Sequence, residues 1–310
     1  MGHYVARRLL QSILVIFGVT IIAFSVIFLT GDPTYLLLGE GGGLTEEQVA
    51  EFRHQMGFDR PWIVQYADYM LGVIQGDLGK SYYHGVPNLE LIIEFMPATI
   101  QLAMTALLLS LFVGIPIGIL AATYRGRLVD HLSMIGALIG QAMPVFWLGL
   151  LLILIFSVKL RWFPVSGKGN WNQLVLPVIT LASYSIAMVA RIVRSSMLEV
   201  LAQDFVRTAR SKGLSEWVVL YKHALKNSMI PVITLVGIQI GFMLGGSVIT
   251  ETIFAWPGMG RLIVQAINTK DVPLIQASVI VLALIFVGVN LLVDLSYAYL
   301  DPRIRLSDKD

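Results

Sequence analysis

The sequence predicts an all-α membrane protein of about six transmembrane helices, and three observations carry that expectation. Hydrophobic residues make up 56% of the 310 positions and charged residues only 14%, where soluble domains carry about 25% charged residues. Six long runs, near 9–31, 97–122, 132–158, 174–190, 229–250 and 272–293, contain no Asp, Glu, Lys, Arg or His. Crossing about 30 Å of hydrocarbon takes roughly 20 apolar residues at 1.5 Å each. Basic residues, finally, fall unevenly on alternate sides of these runs. With the N-terminus inside, 14 of the 22 Lys and Arg lie on inner segments and 8 on outer ones, the bias that orients membrane helices. Both termini are therefore expected in the cytoplasm.

Residues 1–31 comprise the N-terminus and first span. That span is too long for the core of a signal peptide and no small-residue cleavage site follows, so it reads as a retained helix. Residues 32–96 form the largest piece outside the spans, with ten acidic and three basic residues. This piece reads as a helical extracytoplasmic cap. After a loose GEGGG run at 39–43, Thr45 and Gln48 make a capping-box pattern. Val49, Phe52 and Met56 share one helical face and Gly57 is placed to end the helix. Another helix is expected from Pro61 toward Gly76, with Ile63, Tyr66, Met70 and Ile74 as its apolar stripe.

Residues 97–310 hold the core transmembrane domain with the remaining spans. The fourth run is the shortest and carries Pro177 near its start. Between spans four and five, a basic stretch at about 199–228 interrupts the apolar pattern. Asp204 can cap a short helix ending at Gly213, and Ser215 can cap a second with Glu216 near its positive end. Trp217, Leu220, Tyr221, Ala224 and Leu225 then recur at helical spacing on one face. The result is a hairpin tethered at both ends to the bilayer. It competes with a solvated loop obeying the positive-inside rule, an amphipathic surface helix, and a DNA-reading motif disfavoured by the two anchors. After span five, at about 252–271, Trp256-Pro257-Gly258 has strong turn chemistry. The helix that follows is too short to span. Re-entrant gating and an ordinary interfacial helix both fit it.

Several function classes fall away. A net charge of +2 gives no basis for a nucleic-acid partner. Without cysteine there are no disulfides, iron–sulfur clusters or thiol nucleophile. Five scattered histidines predict no metal site. The spans hold no paired carboxylates or nucleophile–base pair for an intramembrane enzyme, and no deep charge for a proton relay, the sign of a stand-alone secondary transporter. Gln141, Met143, Gln239, Ser247 and Asn290 are the polar or soft positions within spans. Each fits a substrate path or a helix–helix hydrogen bond equally well.

DFVRTARSKGL followed by HALKNSMIPV resembles the cytoplasmic EAA loop of permease subunits in bacterial ATP-binding-cassette importers, in the dipeptide/oligopeptide/nickel branch. Arg207, Thr208, Ala209, Lys212, Gly213, Asn227 and Pro231 fall on matching positions, with Phe205, Ser211, Lys226 and Ser228 as mild departures. Further similar pieces are GDP at 31–33, MGFDRPWIVQY at 56–66, GDLGKS at 76–81, MPVFWLG at 143–149, WFPVSG at 162–167, ETIFAWPGMGRL at 251–262 and LVDLSYAYLDPRIR at 292–305. The resemblance implies a type I importer permease architecture in which the hairpin, with Ser215 and Glu216 at its bend, couples to a separate ATPase subunit. It implies a second, homologous permease, two ATPases that hold ATP and Mg²⁺, and an extracytoplasmic solute-binding protein. This chain has no GxxxxGK[ST] loop of its own. Trp256, Pro257, Gly258 and Gly260 would gate the outer mouth or meet the binding protein. Peptides are the expected solute, with nickel or glutathione as alternatives within the family.

Overall fold

In the computed structural model, residues 2–29, 46–55 and 59–300 are described. The GDP piece at 31–33, the glycine run at 39–43, Thr45 of the capping pattern, Met56, Gly57 and the tail from 301 lie outside them. Twelve α-helices occur among the described residues: α1 Gly2–Leu29, α2 Glu46–Gln55, α3 Trp62–Ile74, α4 Asn88–Thr123, α5 Leu128–Ala142, α6 Val145–Leu152, α7 Trp171–Leu201, α8 Asp204–Ser211, α9 Glu216–Val218, α10 Lys226–Ile253, α11 Met259–Asn268 and α12 Val272–Leu300. Two π-helical segments, Ile153–Lys159 and Val219–Leu225, extend α6 and join α9 to α10. Five helices are long and apolar enough to cross a membrane, and a bent pair makes a sixth crossing if taken as one span.

The chain divides into two compact units, Met1–Pro97 with Arg261–Asp310, and Ala98–Gly260. In the first, α1 packs along α12, where the Gln276 amide donates to the Ala23 carbonyl at 3.1 Å. That bond satisfies a polar group within an apolar seam, the commonest use of such residues between membrane helices. Helix α3 starts from Pro61 as its N-cap rather than its first turn, and stops at Gln75 before Gly76 with φ +83°. Its packing face differs from the expected stripe, since Ile63 and Ile74 are exposed. Aromatic rings instead hold α3 to α1: Phe24 lies 5.7 Å from Trp62 and 5.5 Å from both Tyr66 and Tyr69. The Tyr66 hydroxyl meets Thr20 Oγ1 at 2.8 Å. Large flat rings three and four residues apart bury more area than the aliphatic positions beside them.

Asp271, directly before α12, is 1% exposed and is surrounded by donors. The Ser81 hydroxyl and the backbone N–H groups of Tyr82 and Tyr83, the latter two at 3.2 Å, all donate to its carboxylate. It thereby caps α12 at its positive end and fastens the loop after α3.

In the second unit, α4 and α7 approach closely through Gly114 and Gly118. A Cβ on either would stand 2.8 or 2.6 Å from the Cβ of Val189 or Val193. Residue spacing of this small-xxx-small kind lets backbones touch where lipid supplies no hydrophobic drive. The expected third span is not a straight helix: α5 and α6 meet at 102°. Pro144 has no N–H to continue the ladder and drives the preceding residue toward extended backbone; Met143 accordingly has φ −72° and ψ 125°. Pro177, by contrast, is absorbed inside α7, which runs eleven residues past the expected end of the fourth run. Arg191 and Arg194 ended that apolar run without ending the helix. Asn170 and Gln173 start α7 with a reciprocal capping box.

Candidate functional site

The stretch between α7 and α10 folds as a hairpin whose bend is set by backbone chemistry. Gln203 is the N-cap of α8 and Asp204 its first residue, one position inside the expected cap, where its charge still favours the helix start. Thr208 and Ser211 bond back to the carbonyls of Asp204 and Thr208. At the far end Lys212 is the C-cap and Gly213 takes φ +76°. The Gly213 N–H reaches the Arg210 carbonyl at 2.9 Å and the Leu214 N–H reaches Ala209 at 3.4 Å. These are the paired bonds of a Schellman stop. Ser215 is extended at the N-cap of α9, but its hydroxyl oxygen accepts no cap bond from the first turn. Across the bend, Arg210 grips Glu216 with two bonds, 2.8 and 3.3 Å long. The pair is about half exposed, so its value is geometric more than energetic.

The second arm is not the regular α-helix its spacing predicts. After the three residues of α9, the chain widens into the π-segment Val219–Leu225. Val219 and Ala224, both fully buried, lie five residues apart, a separation that i→i+5 bonding brings onto one face. They join Val206 and Ala209 of α8 in one apolar core with Val193, Met197 and Val200 of α7, Ile119 and Ala122 of α4, and Val232 and Leu235 of α10. The expected stripe therefore splits. Leu220, Ala224 and Leu225 go into this core, whereas Trp217 is 68% and Tyr221 41% exposed. Those two rings stack with centroids 4.9 Å apart. Arg207, Lys212 and Lys222 are also exposed. Asn227 donates to the His223 carbonyl at 2.7 Å, and Pro231 sits inside α10 rather than closing the segment.

The turn after α10 is built around a carboxylate that sequence reading did not single out. Glu251 is fully buried and accepts from the Thr99 hydroxyl at 2.7 Å and the Gly260 N–H at 2.7 Å. Thr99 in turn accepts from the Met259 N–H at 2.8 Å. Trp256 is 1% exposed, and its indole N–H donates to the Ala98 carbonyl at 2.9 Å. The ring of Trp256 is thus an anchor of the turn, and Pro257 is its more exposed member. Gly258 does not take the positive φ suggested by turn chemistry; a Cβ there would collide with the Glu251 carboxylate. An acidic residue directly flanking an apolar run was the available signal for Glu251, as it was for Asp271, and Asp130 stands one residue further from its run.

The polar span positions do not converge. Gln239 donates to Ser185 at 2.9 Å between α10 and α7, and Gln141 lies 3.9 Å from the Met188 sulfur. Ser247 and Asn290 bond back to their own helices. Met143 is the residue at the α5–α6 bend. Among the described residues no three His, Cys, Asp or Glu stand close enough to hold a metal ion.

Comparison with known proteins decides the family. The model of the binding-protein-dependent transport system inner membrane component matches residues 114–306, and the model of its N-terminal part matches residues 1–103. The chain belongs to this family. It is 42% identical over 331 residues to a dipeptide transport system permease of Alkalihalophilus pseudofirmus, covering 97% of this chain and 99% of that one. A glutathione transport system permease of Escherichia coli K12 is 43% identical, covering 98% and 99%. The fold is similar to that of an inward-facing methionine ABC transporter chain, with a TM-score of 0.56 at 16% identity over 69% of this chain and 97% of that one. As a binding-protein-dependent permease, the protein is a multi-pass inner-membrane subunit and a transport component rather than an enzyme. Family membership also implies ATPase and binding-protein partners.

Proposed function

We propose that this permease forms half of the translocation pathway of a peptide importer, and that its hairpin is the element on which an ATPase subunit acts. The observation that carries this reading is the two-faced build of the hairpin. One face is locked into a core shared with α4, α7 and α10. The other presents Phe205, Leu214, Trp217 and Tyr221 among Arg207, Lys212 and Lys222. An apolar patch with aromatic anchors and a basic rim is the composition of a protein-binding hot spot. Because the hairpin is packed rigidly on its inner face, a push on it moves the ends of three long helices together.

The remaining parts follow from that docking. A homologous second permease completes the pathway, two ATPase subunits hold ATP and Mg²⁺, and a solute-binding protein delivers the solute on the opposite face. The hairpin and both termini face the cytoplasm, in keeping with 14 of the 22 basic residues on that side. Residues 32–96 form the extracytoplasmic cap, and 252–271 the element nearest the outer mouth. Di- and oligopeptides are the first choice of solute. Glutathione is a second reading favoured by a specific observation, the 43% identity to a glutathione permease beside 42% to a dipeptide permease; it is itself a small charged tripeptide.

The deciding experiment is affinity purification from the native membrane, with mass spectrometry of what accompanies the chain. A second permease, ATPase subunits and a binding protein are expected. Recovery of the chain alone, active without an ATPase, would refute the docking role. In the same preparation, Trp217→Ala is expected to weaken ATPase retention by about 2 kcal/mol or more, the loss common at an aromatic hot spot. Titration of the purified ATPase onto the permease in nanodiscs measures it, and unchanged affinity removes Trp217 from the interface.

A further inference from the structure

The hairpin core draws its buried residues from α4, α7, α8, α10 and the π-segment, and none from α5. Yet α5 leads directly into the 102° bend at Met143 and Pro144. One contact ties its first turn to the helix that carries the hairpin. Arg194 Nε donates to Asp130 Oδ1 at 2.6 Å, and Arg194 Nη2 donates to Asp130 Oδ2 at 2.8 Å. Asp130 Oδ2 also accepts the Gly126 N–H at 2.9 Å. The Asp130 side chain is 4% exposed and that of Arg194 28%.

Placement makes this pair more than an ion pair at a helix end. Arg194 sits beside Val193 and one turn before Met197, both fully buried in the hairpin core, so it moves with that core. A two-pronged guanidinium–carboxylate contact fixes both distance and orientation. A buried charge keeps its partner, because separating the two leaves an uncompensated ion. Further along, α5 also packs on α7, but a void interrupts that contact. A cavity of about 240 Å³ lies between α4, α5 and α7, lined by Ile117, Leu132, Ser133, Gly136 and Ser183 among others. A Cβ at Gly136 would meet nothing within 4 Å. The clasp is therefore the oriented, charge-paired link between α5 and the part of α7 that enters the hairpin core.

We propose that the Asp130–Arg194 clasp transmits displacement of the hairpin to the bent α5–α6 pair, with both side chains acting as positioning residues for transport. This inference rests on the hairpin being the ATPase contact. The test uses the full complex in proteoliposomes, with solute uptake and ATP hydrolysis measured together for wild type, Asp130→Asn, Arg194→Gln, the double variant and Arg194→Lys. Assembly with the ATPase is checked first. If wild type does not assemble, the docking reading fails and takes this inference with it.

With assembly intact, each single neutral variant is expected to lower solute moved per ATP by about tenfold, within the usual span of coupling energies. The double variant is expected to be no worse than either single one, since both remove the same contact. Arg194→Lys, which keeps the charge but not the fork, is expected to fall between. An unchanged ratio, or additive losses in the double variant, overturns the clasp while leaving the docking reading standing. Loss of assembled complex in all four variants overturns it as well, because the pair is then only a folding element.

Discussion

Gly260→Ala is expected to destabilise the permease by about 3 kcal/mol, the upper part of the range for forcing atoms into a packed site. The added methyl would run into the Val248 Cα and stand 2.9 Å from Glu251 Oε2. Backbone on one side and a buried carboxylate on the other leave it nowhere to go. Gly258→Ala is also expected to destabilise, but for a different reason, because the three atoms nearest its Cβ all belong to the Glu251 carboxyl group. Shortening that side chain separates the two cases. Glu251→Asp is expected to recover part of the loss in Gly258→Ala and none of it in Gly260→Ala. Thermal unfolding of purified protein in nanodiscs measures all four. Equal rescue of both glycine variants would mean that the carboxylate, and not the Val248 backbone, sets the space at Gly260.

Truncating Glu251 acts through the same network from the other side. With the carboxylate gone, the Thr99 hydroxyl and the Gly260 N–H lose the acceptor they share. Each unsatisfied buried donor costs about 1–3 kcal/mol. Trp256 closes the turn against Ala98. The WPGMG segment is therefore a packed, hydrogen-bonded turn, and any role at the outer mouth is exerted by its position and by Pro257 rather than by a swinging indole.

How much of this was legible beforehand follows from which physical signal each feature leaves in a linear chain. Hydropathy located α1, α4, α7, α10 and α12, because length without charge is a direct consequence of crossing hydrocarbon. The same filter misplaced the end of α7, since Arg191 and Arg194 continue the helix after the apolar run stops. It also passed over Asp130, Glu251 and Asp271, acids set at or beside run boundaries that fold inward to meet donors. Pro144 and Pro177 both interrupt apolar runs, and only tertiary packing distinguishes the bend at one from the continuous helix at the other. In the hairpin, Gly213 was readable as a stop because the Schellman motif needs a residue free to take positive φ. The π-segment was not readable. Val219 and Ala224 share a face only once the helix has lengthened its period, and an α-helical reading put Trp217 and Tyr221 on the buried side instead.

Gly213 supplies the sharper test of the hairpin. A Cβ there would meet no atom within 4 Å, so substitution perturbs the backbone alone. At φ +76° a residue with a side chain pays about 1–2 kcal/mol for left-handed backbone, and a β-branched one finds the region hardest to enter. Gly213→Ile is therefore expected to distort the bend that α8 and α9 share and to abolish ATP-driven uptake, while the core beneath, built on Val206, Ala209, Val219 and Ala224, keeps the protein assembled in the membrane. Gly213→Asn, whose side chain tolerates the left-handed region, is expected to retain most uptake. Measured side by side in proteoliposomes with equal amounts of permease, the pair separates conformation from bulk. Wild-type uptake by Gly213→Ile would show that the bend geometry does not matter to coupling. Equal loss in both variants would mean that exposed side-chain volume at the bend, and not the turn itself, blocks the partner.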